Sequence, residues 1–202
     1  MLRIGLTGPS GAGKGTVSSL LARYGIPSID TDAVYHSLLV PGATCLNDIV
    51  AQFGESVLTP DGRLNRRELA AIVFADGHRD DLTTLNRITH RHILDRVNEI
   101  CREHELTGAT AVLIDAPLLF ESRFDHQCDK SLAVLADRET RLARIIERDG
   151  IDEAAARQRI DAQPADDYYI RHADAVIYNN ETPENLETPL RALMEQWGVK
   201  LP

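Results

Sequence analysis

Close to the amino terminus stands Gly8-Pro9-Ser10-Gly11-Ala12-Gly13-Lys14-Gly15-Thr16, a glycine-rich stretch closed by a lysine and a hydroxyl. Residues without a Cβ atom let successive backbone N–H groups curl round an anion, and the start of a helix adds partial positive charge at the same place. A lysine at position 14 can reach across the β and γ phosphates of a nucleotide. Gly11, Ala12, Gly13, Lys14, Gly15 and Thr16 are therefore the candidate nucleotide-binding residues. The strict pattern G-x-x-x-x-G-K-[ST] departs at Gly15, which stands where a magnesium-binding hydroxyl normally follows the lysine; Thr16 comes one residue later. Thr16, Asp115 or a water would have to complete a Mg2+ shell. The competing reading of the loop is a strand-to-helix turn with a solvated lysine.

Two acidic positions belong to the same chemistry. Asp115 ends the apolar run Ala111-Val112-Leu113-Ile114, where a carboxylate can orient Mg2+ directly or through water, or else cap a turn ahead of Pro117. Asp30-Thr31-Asp32 ends a second short apolar run. A carboxylate there can accept the proton of an attacking hydroxyl and hold its oxygen in line with the γ phosphate, while Asp30 or Thr31 caps the helix that follows. Arg141, Arg144 and Arg148 share one helical face beside Leu142, Ile145 and Ile146. They suit a lid helix that carries positive charge to the phosphates on closure, or a solvated face paired with Glu147, Asp149 and Glu153. His90 and His92 are two apart and point to different faces of a helix, so they argue against a zinc pair.

These residues need elements to hold them. Leu2, Ile4 and Leu6 alternate as a strand before the glycines, and Val17, Leu20, Leu21 and Tyr24 continue as a helix that Gly25 stops. Further strands are expected at Ile26 to Ile29, Thr110 to Ile114, Ser131 to Leu135 and Ala175 to Tyr178, each separated by helical sequence. That alternation predicts an α/β fold with a parallel sheet of about five strands and helices on both faces. The stretch Ala33 to Gly108 contains helical patterns and no clear strand; Gly54, Pro60, Asp61 and Gly62 supply turns, and Thr83 to Glu103 reads as one long helix. It is expected to be an inserted helical region over the sheet's carboxyl edge. Leu186, Leu190, Leu193, Met194 and Trp197 are expected to dock a carboxyl-terminal helix, with Thr188-Pro189 offering its cap and first-turn proline.

Composition excludes several classes. The chain has 202 residues, 43% of them hydrophobic, enough for one core with a small insertion. A formal charge of -9 disfavours a general nucleic-acid binder, so an anion must be held by a local site. Cys45, Cys101 and Cys128 form no C-x-x-C pair, the most apolar stretch from Ala109 to Phe120 is too short to span a bilayer, and no secretory h-region begins the chain. A cytoplasmic protein that does not engage membranes is expected, and no Asn-Lys-x-Asp guanine motif is present.

More specific strings extend through the chain: Gly5-Leu6-Thr7-Gly8, then Asp30-Thr31-Asp32 with His36 and Pro41-Gly42, and Asp61-Gly62-Arg63-Leu64-Asn65-Arg66 before Val73-Phe74. They continue through Leu85-Asn86-x-Ile88-x-His90, Pro117-Leu118-Leu119-Phe120-Glu121, Arg144 and Arg148, Arg159-Ile160-x-x-Gln163 and Ala173-Asp174-x-Val176-Ile177-x-Asn179. On these residues the chain resembles the dephospho-CoA kinase family almost end to end.

The resemblance implies a three-layer P-loop kinase fold, with a core at 1–32 and 109–202, an acceptor-binding helical insertion at about 33–108 and a lid at about 138–165. It implies ATP as co-substrate, Mg2+ as cofactor, and transfer of the γ phosphate to the ribose 3′-hydroxyl of dephospho-CoA, by a monomer or weak homo-oligomer. By the same resemblance Asp32, Lys14 and Arg148 are catalytic, Arg144 and Asn179 join the nucleotide site, and Arg66, His90, Leu118 and Glu121 surround the acceptor. Four positions depart from the family's habit besides Gly15, whose Gly-Lys-Gly-Thr string is similar to adenylate kinases. Thr31 stands where alanine is common and Ala116 where valine is; Arg91 replaces the proline after the histidine, and Tyr169 falls where a basic residue is usual, leaving Arg171 as a substitute. A kinase for another small acceptor, such as a nucleoside monophosphate, and a nucleotide-binding regulator without transfer are the alternatives.

Overall fold

The structure, a computed structural model of the chain, describes residues 1–75 and 79–201; residues 76–78 of the helical stretch lie outside the described part. Five strands form one sheet: β1 (Leu2–Thr7), β2 (Ser28–Asp30), β3 (Ala111–Asp115), β4 (Lys130–Leu135) and β5 (Ala175–Tyr178), in the order β2-β3-β1-β4-β5. The pairs β1–β3, β1–β4 and β4–β5 are parallel. Parallel strands covered on both faces must be apolar throughout, and the run Ala111 to Ile114 and the run Ser131 to Leu135 are buried at every position.

Two compact units make up the chain. The first comprises Met1–Ile29 and Glu103–Pro202, and the second Asp30–Arg102. In the first, α1 (Lys14–Ala22) and α9 (Pro183–Gln196) pack on the sheet through Val17, Leu20, Leu21, Leu186, Leu190 and Met194, against Ile4, Leu6, Leu113 and Val134. A hairpin of α6 (Arg138–Asp149) and α7 (Glu153–Asp161) closes its own small cluster of Leu142, Ile145, Ala156 and Ile160. The short α8 (Asp166–His172) packs its Tyr169 onto Ala133 and Leu135. The second unit consists of α2 (Thr31–Ser37), α3 (Thr44–Phe53), α4 (Arg66–Val73) and most of α5 (Arg79–Leu106), around Leu39, Cys45, Ile49, Val57, Leu69 and Val73.

The elements fall where hydrophobic periodicity places them, with instructive exceptions. The second strand starts at Ser28 and not at Ile26, because the Ile26 N–H is already taken by the Leu21 carbonyl at the end of α1 and Pro27 has no N–H to donate. The carboxyl-terminal helix starts six residues before the expected Thr188-Pro189: Thr182 is the N-cap residue, Pro183 takes the first turn and Pro189 lies inside the helix. Proline removes one helical hydrogen bond there, yet Leu186, Leu190 and Met194 bury enough surface to carry the helix through it. The long helix extends beyond Thr83 to Glu103 at both ends. In the second unit Asp61-Gly62 makes the expected tight turn, with the Gly62 N–H donating to the Thr59 carbonyl at 2.8 Å and Leu58 bridging Leu64.

Candidate active site

β1 ends at Thr7 and the chain enters the glycine loop directly, while β3 ends at Asp115 in register with Leu6. The Thr7 hydroxyl donates to the Pro117 carbonyl at 3.2 Å and the Ala116 N–H to the Leu6 carbonyl at 3.0 Å, which fastens the carboxyl ends of the two strands together beneath the loop. This is the edge of a parallel sheet at which ligands bind in folds of this kind.

The loop can be accounted for carbonyl by carbonyl. Lys14 Nζ donates to the Gly8 oxygen at 3.2 Å, the Ala12 N–H to the Pro9 oxygen at 3.2 Å, and the Thr16 N–H to the Gly13 oxygen at 3.0 Å. Side chains from other elements take the three oxygens between: Arg141 Nε reaches Ser10 at 3.0 Å, Arg144 Nη1 reaches Gly11 at 3.3 Å, and Asn179 Nδ2 reaches Ala12 at 2.8 Å. With every carbonyl from Gly8 to Gly13 held by a donor, the loop is fixed in a conformation that an anion can enter without competing with its own oxygens. Gly13, the N-cap of α1, has φ 96°, and a Cβ on it would stand 2.0 Å from Asn179 Nδ2. Gly8 is equally committed, since a Cβ there would lie 2.1 Å from the Val134 oxygen. Gly15 differs: it is exposed, and a Cβ on it meets nothing within 4 Å. The space a serine or threonine would fill after the lysine is therefore open, and the next hydroxyl along the chain is that of the half-buried Thr16.

The arginine face on α6 splits in two. Arg141 is only 5% exposed, and Arg144 also donates to the Asn179 carbonyl at 2.9 Å, so both serve the back of the loop. Arg148 is exposed, paired with Asp149 at 2.7 Å, with Nη2 3.4 Å from Ser10 Oγ. Arg148 and Arg159 together hold the Asp149 carboxyl down at about 2. Asp137 occupies the N-cap position of α6 without a side-chain cap bond; its N–H instead donates to Asn180 Oδ1 at 2.7 Å. Asn179 is 3% exposed, its N–H on the Leu135 carbonyl at 2.8 Å. Leu118 is 64% exposed, and Glu121 is exposed on the same segment after β3, where its charge adds to burial in raising the pKa of Tyr168. Tyr169 fills a core position with 2% exposure, and its hydroxyl is pushed up to about 12 by burial and by Glu121.

The remaining candidates belong to the second unit. Asp30 caps α2, its Oδ1 accepting from Asp32 N–H at 2.8 Å and Ala33 N–H at 3.0 Å, which leaves Asp32 exposed in the first turn. Arg66 opens α4 after the Asn65 cap and donates to His36 Nδ1 at 2.8 Å. His90 is exposed in the middle of α5, whose backbone runs on through Arg91 as regular helix. Arg91 pairs with Asp48 on α3 at 2.7 Å, and His92 meets the same oxygen at 2.8 Å.

Arg141 and Gln163 complete the loop's support; the sequence offers Arg141 as one of three arginines on a lid face and Gln163 only as part of a family string, with no role at the loop's backbone for either. A signal existed for Arg141: it lies four residues before the buried Ile145, on the apolar face of α6, where a guanidinium can only be buried with partners.

Comparison with known proteins gives one consistent answer. The family model for dephospho-CoA kinase matches residues 2–184. A dephospho-CoA kinase of Shouchella clausii is 41% identical over 184 residues, covering 91% of this chain and 92% of its own. One from Corynebacterium efficiens is 38% identical over 196 residues, covering 97% of each. Among solved structures, a Thermus thermophilus protein superposes with a TM-score of 0.78 at 31% identity, covering 96% of this chain and 97% of its own. A shikimate kinase from Acinetobacter baumannii, at 19% identity and a TM-score of 0.51 over 99% of this chain and 96% of its own, shares the fold alone. A match that spans both units and the loop whose carbonyls are so fully held leaves a plain conclusion: the chain belongs to the dephospho-CoA kinase family.

Proposed function

We propose that the chain catalyses transfer of the γ-phosphoryl group of ATP to the ribose 3′-hydroxyl of dephospho-CoA, giving ADP and coenzyme A, the last step of coenzyme A synthesis. The observation that carries the phosphoryl-transfer part is the loop from Gly8 to Thr16, whose carbonyls from Gly8 to Gly13 are all bonded as the chain enters the helix α1 at Lys14. The acceptor is supported by family membership over residues 2–184.

Phosphoryl transfer asks the protein mainly for positioning and charge stabilisation. In this reading the loop N–H groups and Lys14 hold the β and γ phosphates, Arg144 and Asn179 keep the loop in shape, and Asn179 borders the adenine. Arg148, the exposed member of the α6 face, brings its charge to the γ phosphate as the α6–α7 hairpin closes over the nucleotide as a lid. Arg66, His90, Leu118 and Glu121 bind the acceptor. Asp32 accepts the proton of the 3′-hydroxyl as its oxygen bonds to the γ phosphorus and the bond to the ADP oxygen breaks.

Thr16 and Asp115 are oxygen donors of the hard kind that Mg2+ selects. Among the described residues no group of three or more His, Cys, Asp or Glu is assembled into a cage, which fits an ion held largely by nucleotide phosphates and water with one or two protein ligands. Mg2+, when bound there, would neutralise charge developing on the phosphate oxygens. A cytoplasmic site of action suits the ATP substrate, and no described helix is long and apolar enough to cross a membrane.

The direct test is ADP release with ATP and Mg2+, comparing dephospho-CoA with nucleoside monophosphates and with no acceptor. Turnover is expected with dephospho-CoA; a rate equal to the acceptor-free blank would reject the assignment, and preference for a monophosphate would replace it. Asp32→Asn should lower kcat by roughly a hundredfold or more while ATP affinity stays close to wild type. An unchanged kcat would remove Asp32 from the role of base.

A further inference from the structure

One contact at the loop has no part in the roles above. The Ser10 N–H donates to Gln163 Oε1 at 2.9 Å, and the same oxygen accepts from Arg141 Nη2 at 3.1 Å. Arg141 Nε in turn donates to the Ser10 carbonyl at 3.0 Å. The circuit closes on a single residue: both backbone polar groups of Ser10 are held, one by Gln163 and the other by the arginine that Gln163 orients. Arg141 is 5% exposed and has Asp166 at 3.6 Å. Burial draws its pKa down and Asp166 draws it up. A guanidinium so enclosed keeps its geometry only if its donors are met, and Gln163 meets one of them.

Gln163 also lies just after α7, so it belongs to the same hairpin as Arg148, whose Nη2 is 3.4 Å from Ser10 Oγ. Ser10 is thus the point at which the loop touches the hairpin through main chain and side chain alike.

We infer that Gln163 is a positioning residue for nucleotide binding, acting through Ser10 and Arg141 to hold the phosphate loop in its anion-receptive form and to tie the α6–α7 hairpin to it. The role rests on ATP being the loop's ligand. A loop that visits other arrangements binds more weakly in proportion to the fraction of time it is competent, whereas saturating nucleotide restores the competent form. Loss of the Gln163 oxygen should therefore raise the ATP Kd and KM far more than it lowers kcat.

Gln163→Met keeps length and volume and removes the acceptor; Gln163→Glu keeps an acceptor for both Ser10 and Arg141. Calorimetric ATP binding without acceptor, steady-state kinetics and thermal unfolding are measured on both full-length variants. Gln163→Met is expected to raise the ATP Kd and KM roughly five- to tenfold, the worth of about one hydrogen bond, with kcat within about twofold of wild type. Gln163→Glu is expected to return toward wild-type affinity. An unmoved Kd in Gln163→Met, even with a lowered unfolding temperature, would make the contact a structural tether and overturn the role. So would equal impairment of the two variants, or a fall in kcat at constant KM. Absence of ATP binding by the wild-type chain would overturn the ATP assignment itself along with this role, while intact wild-type binding confines any failure to Gln163.

Discussion

Gly13 and Gly15 sit two residues apart in one loop and answer to different constraints. At Gly13 the left-handed φ of 96° and the 2.0 Å approach of Asn179 Nδ2 both exclude a side chain. Gly13→Ala is expected to cost roughly 1–3 kcal/mol from backbone strain alone and to weaken ATP binding, measured by urea unfolding and calorimetry. An alanine variant as stable as wild type would contradict that geometry. Gly15 has open space around its Cβ direction, so Gly15→Ser should be accommodated and should gain about 0.5 kcal/mol of helix propensity. A destabilised serine variant would show that the position is constrained after all. The sequence pattern distinguishes these glycines only by their place in the motif. Which of them is irreplaceable depends on Asn179, which lies 166 residues away from Gly13 and reaches it only in the folded chain.

At the scale of elements, α2 shows how a cap serves chemistry. Asp30 Oδ1 accepts two N–H groups of the first turn, and Asp32 is thereby held in that turn with its carboxylate exposed. Asp30→Ala should cost about 1 kcal/mol, whereas Asp30→Asn, which keeps an acceptor oxygen, should cost little; urea unfolding of the pair decides. Equal stability of the alanine and wild-type proteins would mean that the cap contributes nothing. Sequence reading could assign a cap to Asp30 or Thr31, and the geometry chooses Asp30, with Thr31 buried instead. The α6 face is legible in the same way and to the same limit. Helical spacing places Arg141, Arg144 and Arg148 together; packing of Leu142 and Ile145 against α7 decides that the first two turn to the loop's carbonyls and the third stays exposed, paired with Asp149 and 3.4 Å from Ser10 Oγ.

Over the whole molecule, Tyr169 offers a pH readout of core integrity. An unfolded tyrosine titrates near 10 and Tyr169 is pushed up to about 12 in the fold, so the native state holds the proton more tightly. Its contribution is complete below about pH 10 and is lost as pH rises toward 12. Unfolding free energy of the wild type should fall across that window more steeply than that of Tyr169→Phe, and parallel profiles would refute the assignment. The sequence by itself determined the strand and helix alternation, the phosphate loop and the motifs of the family, because periodicity and glycine-lysine spacing are local properties of the chain. Only the tertiary structure decided that Tyr169 is core, that Pro189 lies within a helix, and that Arg141, Arg144, Asn179 and Gln163 brace the loop from outside. The physical reason is that a buried donor is defined by its acceptor, and the carbonyls of Ser10, Gly11 and Ala12 are brought to those donors only when the sheet aligns β1 with β4 and β5.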